Sequence, residues 1–198
     1  MKLVLATQNK NKLTEIRDML PKEWKVYTLD QVGIHKELVE EGDTIEQNAL
    51  QKADFVFKKT GISTLADDSG LEVDVLFGQP GVHSARYAGI AKNDSANRIK
   101  LLEEMKFKTN RNAKFRTVLA FRDNAGSNIF QGWVEGYITD KEYGVNGFGY
   151  DSIFSPHEFE GFTFAQMSFM EKQKLSHRYN AQNEPSLGGL KLRWLCSS

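Results

Sequence analysis

The sequence predicts an α/β fold built on a mixed β-sheet flanked by helices, with α+β as the alternative class. Short apolar runs alternate with amphipathic helical stretches over the first half of the chain. Period-two alternation then dominates the middle, and a helical pattern returns near the end.

Each element has its own signal. Lys2 to Ala6 is an apolar run that turns polar at Thr7. Leu13, Ile16 and Leu20 follow at helical spacing, with Pro21 at the far end. A second helix is expected from about Thr44 to Lys59. Thr44 is its N-cap, Ile45, Ala49, Ala53 and Val56 share one face, and Gly61 stops it. Ser63 to Ala66 reads as a buried strand, followed at once by Asp67-Asp68-Ser69-Gly70 and a second run from Leu71 to Leu76. A third helix is expected from about Asp94 to Lys106 with Ile99 and Leu102 facing inward. Phe115, Thr117, Leu119 and Phe121 then alternate on one strand face. Ile129 and Trp133 mark the next strand, and Asp123-Asn124-Ala125-Gly126 is the hairpin between them. A last helix is expected near Ser168 to Gln182, and Pro185 with Gly188-Gly189 breaks any continuation. Neither a repeat nor a proline-rich linker interrupts the chain, so residues 1–198 are read as one domain without an internal boundary.

Composition bounds the function. The 198 residues carry 26 Lys+Arg against 26 Asp+Glu, a formal net charge of +0. That balance argues against a protein that tracks along nucleic acid, because such domains carry a basic excess, but it leaves room for a local pocket for a small anion. The single Cys196 cannot form an intrachain disulfide or a multi-cysteine metal site. The apolar N-terminal run is shorter than the roughly 7–15 residues of a signal-peptide core. Nothing approaches the roughly 18 apolar residues of a membrane span. A cytoplasmic protein with no membrane partner is therefore expected.

Four polar clusters fall at strand ends or helix starts, where α/β proteins place their sites. Thr7-Gln8-Asn9-Lys10-Asn11-Lys12 offers a hydroxyl, amides, lysines and the N–H groups of a helix start, which suit a phosphate. Taken alone it reads better as an N-cap turn with solvated lysines. Asp67 and Asp68 adjoin after a buried run, and two carboxylates there repel unless a cation lies nearby. Mg²⁺ suits them, since it takes oxygen ligands and bridges carboxylates to substrate phosphates. A simple Asp-Ser-Gly turn fits these residues equally well. Glu40 and Glu41 either complete a metal site or favour the following helix start. Asn146-Gly147-Phe148-Gly149-Tyr150-Asp151 combines close backbone approach with aromatic faces for a planar base, and a tight bend with core aromatics fits it as well. Ser176-His177-Arg178 gathers three hydrogen-bonding types. Gly81 to Tyr87 is a loop rich in polar groups. Phosphate donors, a carboxylate pair, stacking surfaces and polar groups for a base edge together describe a nucleotide site.

Five motifs in order carry a more specific resemblance: Thr7 to Lys12, Ala66 to Leu71, Pro80 to Tyr87, Gly147 to Asp151 and Ser176 to Arg178. From Met1 to about Arg178 the chain resembles the inosine triphosphate pyrophosphatase family, the dITP/XTP pyrophosphatases. The resemblance implies Mg²⁺-dependent hydrolysis of ITP, dITP and XTP to the monophosphate and pyrophosphate by a homodimer. It also implies a two-lobed α/β fold with the active site in the cleft. By motif, Thr7, Asn9 and Lys12 would hold the phosphates within a substrate-binding run that includes Gln8, Lys10 and Asn11. Asp68 would be the proton acceptor and a Mg²⁺ ligand, with Ser69 beside the substrate. Phe148, Gly149, Tyr150 and Asp151 would line the nucleotide pocket, completed by Lys172, His177 and Arg178.

The chain departs from the family pattern in three places. Where many members have Glu-Glu-Thr-Gly, this chain has Val39-Glu40-Glu41-Gly42, so Glu40 stands in as the second metal carboxylate. Ser152 replaces a common proline, and the Pro185 and Gly188-Gly189 tail replaces a continuing helix. The alternatives are a nucleotide-binding sensor that keeps the pocket without turnover and a phosphatase that removes the terminal phosphate. An RNA-binding role is the weakest, since no basic stripe with interleaved aromatics is present.

Overall fold

The computed structural model describes residues 1–183. Cys196, Pro185 and Gly188-Gly189 lie outside the described residues.

Six strands form one mixed sheet in the order β2-β1-β3-β4-β5-β6. They are β1 (Lys2–Leu5), β2 (Lys25–Tyr27), β3 (Thr64–Val73), β4 (Asn112–Asp123), β5 (Gly126–Ile138) and β6 (Phe154–Pro156). β1 pairs parallel with β2 and β3, in register Val4 to Tyr27 and Val4 to Thr64. β5 pairs antiparallel with β6. The helices are α1 (Lys10–Met19), α2 (Ile45–Thr60), α3 (Asp94–Glu104), α4 (Phe169–Leu175) and α5 (His177–Asn183).

The chain divides into two compact units, each assembled from separated segments. The first takes Met1–Asp68, Thr117–Gly132 and the chain from Arg178. Its core joins Leu3 and Leu5 of β1, Ile16 of α1, Trp24, Leu65, Leu119 and Phe121. The second takes Ser69–Arg116 and Trp133–His177. Its core joins Leu71, Leu101, Met105, Val134 and Tyr150 to the ring cluster of Phe115, Phe154 and Phe164. Phe115 meets Phe154 edge-on with centroids 4.7 Å apart, a geometry that aromatic quadrupoles favour.

Where capping chemistry is local, the sequence reading holds. Thr44 Oγ1 accepts from Gln47 N–H at 3.1 Å, Gly61 ends α2, and Ile45, Ala49, Ala53 and Val56 are buried together. Asp123 Oδ1 accepts from the N–H groups of Ala125 and Gly126, which closes the β4–β5 hairpin as expected.

Four expectations are corrected. Asp67 to Gly70 is not a turn, because β3 runs without a break from Thr64 to Val73 and the turn-forming residues lie inside a buried strand. On α3 and its C-cap the buried stripe is Asn97, Leu101 and Met105; Leu102 packs partly buried against that core as expected, whereas Ile99 is 52% exposed. Leu101 is fully buried, which stabilises by about 1.5–3 kcal/mol relative to an exposed side chain. Trp133 is half exposed, because the inward parity of β5 is Gly132, Val134, Gly136 and Ile138. Finally, the last helix is two: Ser176 is extended, at φ −67° and ψ 147°, between α4 and α5.

Candidate active site

Successive side chains on a strand point to opposite faces of the sheet. Asp67 and Asp68 sit side by side on β3, so their carboxylates diverge and each meets its own cations. The repulsion expected of an adjacent pair is relieved by this geometry.

Asp67 is fully buried. Its Oδ1 lies 2.5 Å from Lys12 Nζ, and its Oδ2 accepts from Arg178 Nε at 3.0 Å. Arg178, itself 2% exposed, also donates through Nη1 to Glu15 Oε2 at 2.7 Å. The Thr117 hydroxyl lies 2.9 Å from Asp67 Oδ2 and 3.1 Å from the Asp68 carbonyl. Burial alone pushes the Asp67 carboxyl up, but the charges of Arg178 and Lys12 outweigh it and hold the group well below its ordinary range.

Asp68 faces α2. Lys52 Nζ stands between carboxylates, 2.8 Å from Asp68 Oδ1 and 2.8 Å from Glu40 Oε1, and donates also to the Asp67 carbonyl at 2.8 Å. Here burial prevails over the lysine charges, and Asp68 is raised above its ordinary value. Lys52 is raised as well: burial opposes its charge, but Asp68 and Glu40 outweigh that cost.

The Thr7 to Lys12 run forms the start of α1. Asn9 Oδ1 accepts from the N–H groups of Asn11 and Lys12, and Thr7 Oγ1 accepts from Asn9 N–H. This is the N-cap turn favoured for that run in isolation, with two of its N–H groups taken by Asn9. Lys12, however, turns inward onto Asp67 instead of remaining solvated. Gln8, Asn9, Lys10 and Asn11 are exposed, and Gln8 Nε2 donates to the Lys36 carbonyl at 3.2 Å.

In the second unit, Asp151 Oδ2 accepts from Lys172 Nζ at 2.7 Å and from Phe148 N–H at 2.8 Å. The Lys172 ammonium also lies 4.5 Å from the Phe148 ring centroid, within cation–π reach. Phe148 and Gly149 are partly exposed. Tyr150, by contrast, is a core residue whose hydroxyl donates to the Ser84 carbonyl at 2.8 Å. His177 is buried and stacks on Phe115, with centroids 5.1 Å apart and planes 12° apart. Ser69 is partly buried on β3.

Glu15, Lys52 and Thr117 were not among the expected site residues. Only Lys52 left a legible signal: a lysine, preceded one turn earlier by Asn48, along the Ile45–Ala49–Ala53–Val56 face of α2.

The residues can hold a metal. Glu40 and Asp68 converge on a single cationic group, the Lys52 ammonium, through oxygen atoms alone. Among the described residues, no three His, Cys, Asp or Glu side chains gather into a larger cage. Mg²⁺ usually takes one or two protein carboxylates and completes its shell with water and phosphate, so the donor set fits it. Glu40 thus stands beside Asp68 at Lys52, while Val39 is exposed.

A mixed α/β sheet with paired cations and carboxylates in the middle of one strand, and a helix start supplying Lys12, defines an α/β protein whose candidate site is a buried ion cluster. This chain belongs to the Ham1 family, whose model matches residues 3–184. It is 49% identical over 181 residues to a dITP/XTP pyrophosphatase of Flavobacterium psychrophilum, covering 91% of this chain and 95% of that protein. A dITP/XTP pyrophosphatase of Christiangramia forsetii is 48% identical over 178 residues, at 90% and 93% coverage. Among solved structures, a HAM1 protein from Coxiella burnetii superposes with a TM-score of 0.84 at 37% identity, covering 91% of this chain and 94% of that one. Among the described residues, no helix is long and apolar enough to cross a membrane.

Proposed function

We propose that this protein hydrolyses deaminated purine nucleoside triphosphates (ITP, dITP and XTP) to the nucleoside monophosphate and pyrophosphate, and so clears them from the nucleotide pool. The observation that carries the reading is Asp68, a buried carboxylate raised in pKa and held at 2.8 Å by Lys52 beside Glu40. A carboxylate shifted toward neutrality by burial is a better proton acceptor.

In this mechanism Thr7, Asn9 and Lys12 bind the phosphate chain, with Gln8, Lys10 and Asn11 around them. Asp68 orients a water molecule and accepts its proton as the water oxygen bonds to phosphorus at the α–β junction. The bridging P–O bond breaks, and pyrophosphate leaves with the electron pair. Lys12 and Lys52 offset negative charge as it grows in the transition state. Glu40 and Asp68 would hold Mg²⁺, which when bound withdraws charge from phosphate oxygens and stabilises the leaving group. Phe148 offers a face to the base, and the Lys172 ammonium, oriented by Asp151, offers a donor. Hypoxanthine and xanthine present a carbonyl at C6 where adenine presents an amino group. A donor aimed there is left facing a donor when ATP binds, which disfavours it strongly. His177 and Arg178, assigned to the same pocket by resemblance, are held instead on Phe115 and on Asp67 with Glu15, and Ser69 lies next to Asp68 in the chain. The same reading includes a homodimer acting in the cytoplasm, open to sedimentation and cell fractionation.

Product analysis over ITP, XTP, dITP, ATP and GTP, with and without Mg²⁺, tests the proposal. IMP and pyrophosphate from ITP, formed only with the metal and far faster than AMP from ATP, is the expected outcome. Orthophosphate as the first product, equal rates for ITP and ATP, or tight binding without turnover would each overturn it.

A further inference from the structure

The Phe148 to Asp151 turn depends on a second element for its shape. Gly149 has φ +61°, and a Cβ added there would meet nothing within 4 Å. Backbone conformation, not packing, is what calls for glycine. Both backbone polar groups of Gly149 are held by one helix. Its N–H donates to Asp94 Oδ2 at 2.8 Å, and its carbonyl accepts from Arg98 Nη1 at 2.8 Å. Asp94 and Arg98 are four residues apart and so lie on one face of α3. Arg98 is steadied in turn, since its Nε donates at 2.9 Å to Glu142 Oε2, which also accepts from Ser152 Oγ at 2.8 Å. Ser152 is the residue that stands where the family pattern has proline, and its hydroxyl closes this chain of bonds.

We propose that Asp94 and Arg98 are positioning residues for base recognition: by fixing both peptide groups of Gly149 they set the Phe148 ring and the Asp151 oxygen that orients Lys172. The inference rests on the proposed function, because it assigns a consequence to base discrimination. The coupling is short. The Gly149 N–H belongs to the same peptide as the Phe148 carbonyl, which accepts from Asp151 N–H at 3.2 Å. Phe148 N–H and Lys172 Nζ share one oxygen of Asp151. A rotation of the Gly149 peptide therefore disturbs the ring and the ammonium together. The bonds that hold Asp68, Lys52 and Glu40 together are a separate set.

The test is steady-state kinetics of the full-length Asp94→Ala, Arg98→Gln, Asp94→Asn and Arg98→Lys variants with ITP, GTP and ATP, alongside thermal melting. Loss of a hydrogen bond to a charged group predicts a KM for ITP raised about tenfold or more. kcat should fall far less, and the ITP/ATP ratio of kcat/KM should drop. Asp94→Asn keeps an acceptor and should recover most of the loss. Arg98→Lys keeps the charge but lacks the fork that reaches Gly149 and Glu142 together, so it should behave as Arg98→Gln does. Unchanged KM and unchanged ratios overturn the proposal. So does an equal loss for all three nucleotides that follows Tm alone, the mark of a merely structural role. If Asp94→Ala does not fold, the Asp94→Asn and Arg98→Lys pair decides by the same ratios. If the wild-type protein releases no pyrophosphate from ITP, the functional reading fails separately. Calorimetric ITP and ATP affinities of the same variants then read the discrimination directly.

Discussion

Asp67 and Asp68 have the same chemistry and neighbouring places, yet their surroundings shift them in opposite directions. Asp67 is held below its ordinary 3.8 by Arg178 and Lys12 against the cost of burial. A carboxyl depressed on folding contributes stability that is present above the unfolded value and lost as pH falls through the folded one. Asp67→Asn should therefore lower stability at pH 7 by about 3–5 kcal/mol, the usual cost of removing one partner from a buried ion cluster. The deficit should shrink as pH drops below 3.8. Asp68 is raised by burial, so its linkage has the reverse sign: the ionised form costs stability as pH rises above 3.8. Asp68→Asn should cost much less in Tm than Asp67→Asn while removing most of kcat, by about 10²–10⁴-fold for a lost general base. Melting curves at pH 3 and pH 7 together with turnover check the pair; equal Tm losses or near-wild-type turnover in Asp68→Asn would contradict it. The sequence displayed both carboxylates and Lys12, and the motifs placed them in a nucleotide site. Lys52 showed only as a lysine on an apolar helix face, a signal that names no partner. The sequence hid the bonds of Arg178 to Asp67 and Glu15, which span 111 and 163 residues.

At the scale of the element, legibility followed how local the determining chemistry was. α1 and α2 carry their own caps and stripes, and both were readable. β3 was not, because Asp, Ser and Gly favour turns in isolation, and only the partners of Asp67 and Asp68 make a straight buried strand affordable. On α3 the apolar residues Ile99, Leu101, Leu102 and Met105 permit more than one stripe, and the polar Asn97 completes the one that is buried. On β5 the inward positions include Gly132 and Gly136, so large apolar residues alone do not reveal which face is buried. Gly136 is there because β6 is close: an added Cβ would lie 2.2 Å from the Ser155 carbonyl oxygen. Gly136→Ala should thus destabilise by about 1–3 kcal/mol through overpacking. Urea unfolding reads this directly, and an unchanged midpoint would contradict the close β5–β6 approach. The break at Ser176 also has a tertiary cause, as it sets His177 on Phe115 and Arg178 on Asp67 and Glu15.

The whole molecule has a net charge of +0, and its buried ion cluster carries no positive excess either. Lys12, Lys52 and Arg178 are matched by Asp67, Glu15, Asp68 and Glu40. This cluster has no surplus of positive charge with which to neutralise a bare triphosphate. A divalent cation brought with the nucleotide corrects the deficit, which is the electrostatic reason to expect a metal requirement. Charge balance in the sequence pointed away from nucleic acid; the fold adds that the paired charges concentrate where Asp67 and Asp68 lie. The most direct test of the account is the identity of the products formed from ITP with and without Mg²⁺. IMP and pyrophosphate in equal amounts, dependent on the metal and formed much faster than AMP from ATP, is the predicted result. IDP with orthophosphate, or equal turnover of ITP and ATP, would contradict it.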